Sequence, residues 1–275
     1  MQIKTALIMA TEKLSACDDP SREASYLLSA VLKKDRSYLY AHGEDSLDAA
    51  TLAQLNTWLT QRVAGKPLAY LVGEKAFWDD SFLVNESTLI PRPETECLIE
   101  AVLNLLPNHP SIHLADLGTG SGIIAIVLKK MRAAWQVVAV DCSPQALSVA
   151  KDNAKKIGVD ITFLESDWLA ALGAHSMDVL VSNPPYLAED DAHLNGEIAF
   201  EPRDALVAGK DGLDAYRAIL KDAKRVLKPK GYIFLEHGST QAPALMALLE
   251  VHHFHVVASI PDQQQHPRIL VGQLL

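Results

Sequence analysis

From residue 111 the chain alternates apolar runs of strand length with amphipathic runs of helix length. That alternation limits the fold more tightly than any other feature. A strand that feeds a helix and then a parallel strand is buried on both faces, so its sequence reads as nearly continuous apolar residues. Strands are expected near 112–117, 135–141, 161–165, 177–182, 231–236, 254–260 and 268–273, and helices near 121–131, 143–157, 213–228 and 240–251. The expected fold class is therefore α/β, a parallel sheet with helices on both faces. The stretch 187–212 is irregular and rich in Asp, Gly and Pro; a loop of that length in a compact domain is usually functional.

The preceding residues read differently. Residues 1–73 are expected to form a small helical bundle. Pro20 and Ser21 open one helix with Ala24, Leu27, Leu28, Val31 and Leu32 on a face. Asp48 caps another that carries Leu52, Leu55, Leu59 and Val63, ended by Gly65 and Pro67. No catalytic cluster falls here, so the bundle is either plain scaffold or a docking module for a substrate. Residues 74–93 are expected to form a hairpin and extended linker, and Pro91-Arg92-Pro93 sets up a helix from Glu94 with Leu98, Ile99, Val102, Leu105 and Leu106 as its stripe. The expected division is thus 1–73, 74–93 and 94–275.

Bulk properties exclude several classes. The 275 residues are 49% hydrophobic and 21% charged, as a globular protein requires. No apolar run reaches the ~18 residues that span a bilayer, and the start lacks the pattern of a signal peptide. Cys17, Cys97 and Cys142 are far apart and odd in number, which fits reduced thiols in the cytoplasm. A net charge of −9 lacks the basic footprint of a protein that grips duplex nucleic acid. A monomer without membrane or nucleic-acid partners is expected.

Two stretches carry chemistry. Strand 112–117 runs into Gly118, Thr119, Gly120, Ser121 and Gly122 before a helix begins. Glycines let the backbone turn tightly and approach a ligand, and amides at the helix start can meet an anionic group. The spacing G-x-G-x-G differs from the G-x-G-x-x-G of dinucleotide folds. Asp141 ends the next strand, where a carboxylate can hold both hydroxyls of a ribose. Ser182-Asn183-Pro184-Pro185-Tyr186 then stops the strand 177–182 abruptly. Prolines lack the N–H a ladder needs and hold the preceding residues extended. Asn183 is therefore fixed at a strand's carboxyl end, its side-chain oxygen and nearby peptide carbonyls able to accept from an incoming –NH2, and Tyr186 offers a flat face for a planar guest. Taken alone, the glycine turn could be merely structural; together with Asp141 and Asn183 on one sheet edge it marks a nitrogen methyltransferase.

The combination resembles the Rossmann-like (class I) S-adenosylmethionine methyltransferases. That resemblance implies Gly118 to Gly122 along the methionine and sugar of the cofactor, Asp141 on its ribose, and Asp167 and Trp168 near its adenine. Leu89-Ile-Pro-Arg-Pro-Glu-Thr-Glu96, Asp116-Leu-Gly-Thr-Gly-Ser-Gly122, Ser182-Asn-Pro-Pro-Tyr186 and Phe200-Glu-Pro-Arg-Asp-Ala-Leu-Val-Ala-Gly-Lys-Asp-Gly-Leu213 narrow the match to the release-factor glutamine methyltransferases (HemK/PrmC family). The implied activity is methylation of the side-chain amide nitrogen (N5) of the glutamine in the Gly-Gly-Gln loop of peptide-chain release factors, with S-adenosylhomocysteine as product. The related ribosomal-protein glutamine methyltransferases share the Asn-Pro-Pro-Tyr core. Gln263-Gln-Gln-His-Pro-Arg268 departs from the family's Asn-Asp-Arg-like turn there, keeping Arg268.

A carboxamide nitrogen is a weak nucleophile, and a sulfonium methyl is already a strong electrophile, so neither metal nor covalent nucleophile is needed. Asn183 and the Pro184 carbonyl, held by Pro185 and Tyr186, are expected to accept the two N–H bonds and stabilise positive charge growing on nitrogen. A nucleic-acid amine is the competing substrate, since the same device suits any planar –NH2. Lys221, Lys224, Arg225, Lys228 and Lys230 are expected late in a helix, as a solvated face or an rRNA contact; Glu236-His237, at a strand end, is either structural or direct in its role. His252 and His253 are expected to face opposite ways on a strand, which disfavours a metal.

Overall fold

The computed structural model describes residues 1–106 and 111–275. They form two compact units: Met1–Glu74 with Asn195–Phe200, and Lys75–Leu194 with Glu201–Leu275.

In the first unit, α1 (Ile3–Lys13), α2 (Pro20–Leu32), α3 (Arg36–Ala41), α4 (Ala49–Val63) and α5 (Leu68–Val72) follow one another. Asp19, Asp35 and Asp48 precede α2, α3 and α4, and each carboxylate accepts a backbone N–H three residues on, at 3.1, 2.8 and 2.7 Å. Such caps satisfy amides that a helix start leaves unpaired. Leu14, Leu27, Leu28, Leu55 and Leu59 fill the core. Val63, expected on that stripe, is exposed. The helix period brings residue 62 round instead: Arg62 is buried, and its guanidinium donates to Glu23 at 2.7 and 2.8 Å and to Glu197 at 2.5 Å.

The second unit opens with a hairpin of β1 (Glu74–Phe77) and β2 (Asp80–Leu83), then α6 (Glu94–Leu105). Leu105 is exposed, although the expected stripe included it; Leu98, Ile99 and Val102 are buried. Next come β3 (His113–Leu117), α7 (Ile123–Met131), β4 (Gln136–Asp141), α8 (Pro144–Ile157), β5 (Thr162–Glu165) and β6 (Met177–Ser182). After the loop, α9 (Asp214–Val226), β7 (Leu227–Glu236), α10 (Ala242–Val251), β8 (Phe254–Pro261) and β9 (Pro267–Leu274) complete it. Among the described residues seven strands form one sheet in the order β5-β4-β3-β6-β7-β9-β8.

Pairing from β5 to β7 is parallel. The departure from a wholly parallel sheet is β9, antiparallel to both neighbours. Only residues 262–266 separate it from β8, too few for a crossover. Alternate side chains point to opposite faces. Leu114, Val179, Val181 and Phe234 join the layer of α6 and α7, whereas Ala115, Leu180, Ile233 and Leu235 join that of α9 and α10.

β7 starts four residues before its expected start at 231. Its first pairing, Met177 with Leu227, is followed by a register shift. Lys228 and Lys230 therefore lie on a strand, not late in a helix, and Lys228 pairs with Asp178 at 2.7 Å. Arg225 donates to the Leu169 and Leu172 carbonyls, so it closes a loop. His252 caps α10 and His253 occupies the following turn, which corrects the expectation of a strand at both. Among the described residues no helix is long and apolar enough to cross a membrane, and no cluster of His, Cys, Asp and Glu is arranged for a metal ion.

Candidate active site

The carboxyl ends of β3, β4, β5 and β6 border one cavity of ≈ 340 Å³. Open α/β sheets bind their ligands at this edge. Gly118, Thr119, Gly120 and Ser121 supply one wall, Asp141 another, and Asp167 and Trp168 a third; Asn183 and Pro185 face them.

The glycine turn is anchored from several sides. The Thr119 N–H donates to the Val140 carbonyl at 2.9 Å. Asn153 on α8 donates to the Ser121 carbonyl at 2.9 Å and exchanges two hydrogen bonds with Leu83 of β2, so a single buried amide ties turn to hairpin. Below the turn, Asp116 accepts from the Thr119 hydroxyl at 2.6 Å and the Ala125 N–H at 3.2 Å. Burial nevertheless pushes its carboxyl up to about 7. Gly122 does not line the cavity. At φ +85° it lets α7 pack against α8, since a Cβ there would sit 2.9 Å from Ile126 and 3.1 Å from Ala150.

Asp141 accepts the Gly120 N–H on one oxygen and the Ser143 N–H on the other, both at 2.9 Å. Each oxygen keeps a lone pair for a ligand hydroxyl. A Cβ on Gly120 would project into open space, whereas one on Gly118 would sit 3.5 Å from the Trp168 ring. The donor set therefore fits an adenosyl cofactor with a positively charged methionine tail: peptide groups along a bare turn, a fixed carboxylate for the ribose and an indole for the adenine.

Asn183 donates from Nδ2 to the Thr95 hydroxyl at 3.0 Å. The Pro184 ring is buried and does not line the cavity, so any contact Pro184 makes with a guest there comes from its peptide carbonyl. Tyr186 also lies outside the lining. Its ring packs with the core beneath α9, and burial, together with nearby Glu236, pushes its hydroxyl up to about 12. Its carbonyl is held by Gln241 at 2.9 Å, and Gln241 also grips the Gly212 carbonyl at 3.2 Å and receives the Gly238 N–H at 2.9 Å.

The residues without an assigned role in the sequence are those that act across long separations. Buried Glu201 accepts from the Ile90 N–H at 2.9 Å and from the Arg92 guanidinium. It thereby joins 87–95 to 202–205, both of which line the cavity. A glutamate between Phe200 and Pro202 was the available signal. Leu187 and Val207 form a parallel bridge that closes the loop. At the end of β7, Glu236 and His237 are buried, with Glu236 Oε2 and His237 Nε2 unpaired among the described residues.

Residues 5–73 match the PrmC N-terminal domain and residues 95–207 the methyltransferase small domain. A release factor glutamine methyltransferase of Shewanella oneidensis is 41% identical over 98% of this chain and 96% of its own length. Another, from Escherichia coli K12, is 38% identical over 99% of both. A methyltransferase structure from Pyrococcus furiosus shares the fold at a TM-score of 0.55 and 15% identity, covering 79% of this chain and 98% of that one. With full-length identity at this level, and with the glycine turn, Asp141 and the Asn-Pro-Pro-Tyr corner gathered at one sheet edge, the chain belongs to the release factor glutamine methyltransferases.

Proposed function

We propose that the chain methylates the side-chain amide nitrogen (N5) of the Gly-Gly-Gln glutamine in peptide-chain release factors, and that Asn183 and the Pro184 carbonyl hold that amide. S-adenosylmethionine, the cofactor, supplies an electrophilic methyl on sulfur when bound. Gly118 to Ser121 and Asp141 would hold its methionine and ribose portions, and Asp167 and Trp168 its adenine. The observation that carries the reading is the Asn183 carboxamide: one N–H of its NH2 goes to Thr95 and no described donor takes its oxygen, which is left to accept from a donor in the cavity.

An amide whose two N–H bonds are both accepted presents its lone-pair direction away from those acceptors. Asn183 and the Pro184 carbonyl also stabilise positive charge as the nitrogen gains a fourth substituent, until it sheds a proton. A neutral asparagine suits a part-buried site, because an unpaired carboxylate would be costly to bury. Glu201 ties the wall segments 87–95 and 202–205 together, which helps hold the geometry in which the reactants meet. The helical residues 1–73 serve as the docking module for the release factor. A cytoplasmic monomer without a nucleic-acid substrate fits the net charge of −9. The test is mass spectrometry of a release-factor tryptic peptide after incubation with enzyme and cofactor. One methyl on the Gly-Gly-Gln glutamine is expected; transfer to RNA or DNA instead would refute the reading.

A further inference from the structure

We propose that Gln241 is a positioning residue for the methyl transfer: its carboxamide fixes the peptide that follows Tyr186, and so sets where Asn183 and the Pro184 carbonyl stand. The inference rests on the role given to those two acceptors above.

Gln241 occupies the N-cap of α10, where a short Ser, Thr, Asp or Asn ordinarily turns an oxygen back onto the helix. Gln241 makes no such bond. Its side chain engages three backbone groups instead, from three segments that meet beyond the paired ends of β6 and β7. Nε2 donates to the Tyr186 carbonyl at 2.9 Å and to the Gly212 carbonyl at 3.2 Å. Oε1 accepts the Gly238 N–H at 2.9 Å. The Gln241 N–H returns to the Gly238 carbonyl at 2.9 Å, so the side chain leaves from a fixed backbone. A primary amide has two N–H donors and one carbonyl oxygen, and here each is in use. Its direction follows from its partners. Carbonyl oxygens only accept, so NH2 must face Tyr186 and Gly212. Two glycines make room for it: a Cβ on Gly212 would stand 2.8 Å from Nε2, and one on Gly238 3.0 Å from Oε1.

The Tyr186 carbonyl and the Leu187 N–H belong to one peptide unit. Gln241 holds the carbonyl, and the Leu206 carbonyl accepts the N–H at 2.9 Å. A peptide with one anchor pivots about that bond; with two, its plane is set. The span between this plane and β6 is stiff. Rings lock φ at Pro184 and Pro185, and Asn183 and Pro184 each precede a proline, which holds them extended. At the far end Ser182 pairs with Leu117 and Leu235, and its hydroxyl donates to the Leu117 carbonyl at 2.7 Å. Asn183, Pro184 and Pro185 therefore bridge two fixed ends, and turning the peptide at one end moves the acceptors between them. Thr95 ties down the Asn183 NH2, but the backbone places the Pro184 carbonyl.

The experiment counts cofactor-binding sites and measures cofactor affinity by calorimetry, then reads the single-turnover rate of methyl transfer to a release factor per site counted. Gln241→Met keeps the side chain's length and removes all three of its bonds. Its rate per site falls about 10- to 100-fold, as for a shift of up to about 1 Å in a reacting group. Cofactor affinity stays within about twofold, because Gln241 does not line the cavity. Gln241→Glu keeps an oxygen for Gly238 but turns a carboxylate toward two carbonyl oxygens, so it is at least as slow. A double-mutant cycle separates positioning from general packing. In the Asn183→Ala background Gln241→Met slows the reaction by a smaller factor than in the native enzyme, because one of the acceptors it aligns is already gone. The proposal is overturned by a native rate in either variant, by losses that multiply in full in the double variant, or by a fall in cofactor affinity as large as the fall in rate. Native turnover in Asn183→Ala would instead remove the role of Asn183 beneath it. If Gln241→Met binds no cofactor because it does not fold, Gln241→Asn decides by the same rate and the same cycle: it has the same chemistry but is one methylene short of Tyr186 and Gly212.

Discussion

Gly212→Ala tests whether the Asn-Pro-Pro-Tyr corner must be held from behind. Gly212 has φ +71°, and a Cβ there would lie 2.3 Å from the Tyr186 carbonyl oxygen and 2.8 Å from Gln241 Nε2. The nearer atom belongs to the backbone, so it cannot swing away as a side-chain tip does. An ordinary contact requires the Tyr186 peptide to retreat by about 1 Å. That retreat breaks the bond from Gln241 to the Tyr186 carbonyl. The left-handed conformation costs an alanine about 1 kcal/mol, and the lost hydrogen bond about 1 more. A stability loss of about 2–3 kcal/mol is expected by urea denaturation. Tyr186 is three residues from Asn183, and a displacement of about 1 Å in a reacting group can lower turnover about 100-fold. The assay is transfer of a labelled methyl group to a release factor, with cofactor affinity measured separately. Affinity should hold, because the residues proposed to hold the cofactor, Gly118 and Gly120 in the turn after β3 and Asp141 at the end of β4, lie apart from Gly212 in the chain. Native turnover in a Gly212→Ala enzyme that has lost stability would show that the corner tolerates movement and refute the reasoning.

Asn183→Ala should lower turnover by about two to three decades while the enzyme still binds cofactor, as loss of one preorganised hydrogen-bonding group does elsewhere; single-turnover kinetics check it. Arg62→Met leaves Glu23 and Glu197 facing a buried apolar chain. A loss of about 3 kcal/mol is expected in urea, toward the low end for a broken buried pair because Glu197 is half exposed; an unchanged midpoint would count against it. Asp116 has a folded pKa of about 7, raised from 3.8, so the folded state binds its proton more tightly than the unfolded chain. Its contribution therefore falls as pH rises from about 4 to about 7, by on the order of 4 kcal/mol at about 1.4 kcal/mol per unit. In Asp116→Asn that part of the pH dependence should vanish from denaturation curves; a variant as pH-sensitive as the native protein would contradict the assignment.

What was legible in the sequence was local. Strand, glycine turn and helix stand next to one another, so Gly118 to Ser121, Asp141 and Asn183 could be placed on one sheet edge before any coordinate. Periodicity went astray where two residues compete for one side of a helix, as with Arg62 and Val63, or near a helix end, as with Leu105. Thr95, Asn153, Glu201 and Gln241 were given no role because each works on a partner tens of residues away or more, and no short pattern announces such a pairing. Tyr186 was assigned by chemistry alone, as a platform; its packing beneath α9 depends on elements that the motif does not contain.

The helical unit is not a contiguous bead on the chain. It takes in Asn195–Phe200, six residues that belong by sequence to the long loop after β6. Glu197 meets Arg62 there, and Phe200 lies 3.3 Å from where a Cβ on Gly65 would stand. Glu201, immediately after, already belongs to the other unit as the strut between its two motif segments. A single protease cut near residue 74 would thus not release the helices as an intact piece, and recombining the N-terminal part of one homologue with the remainder of another would split a shared seam unless the six-residue segment travels with the helices.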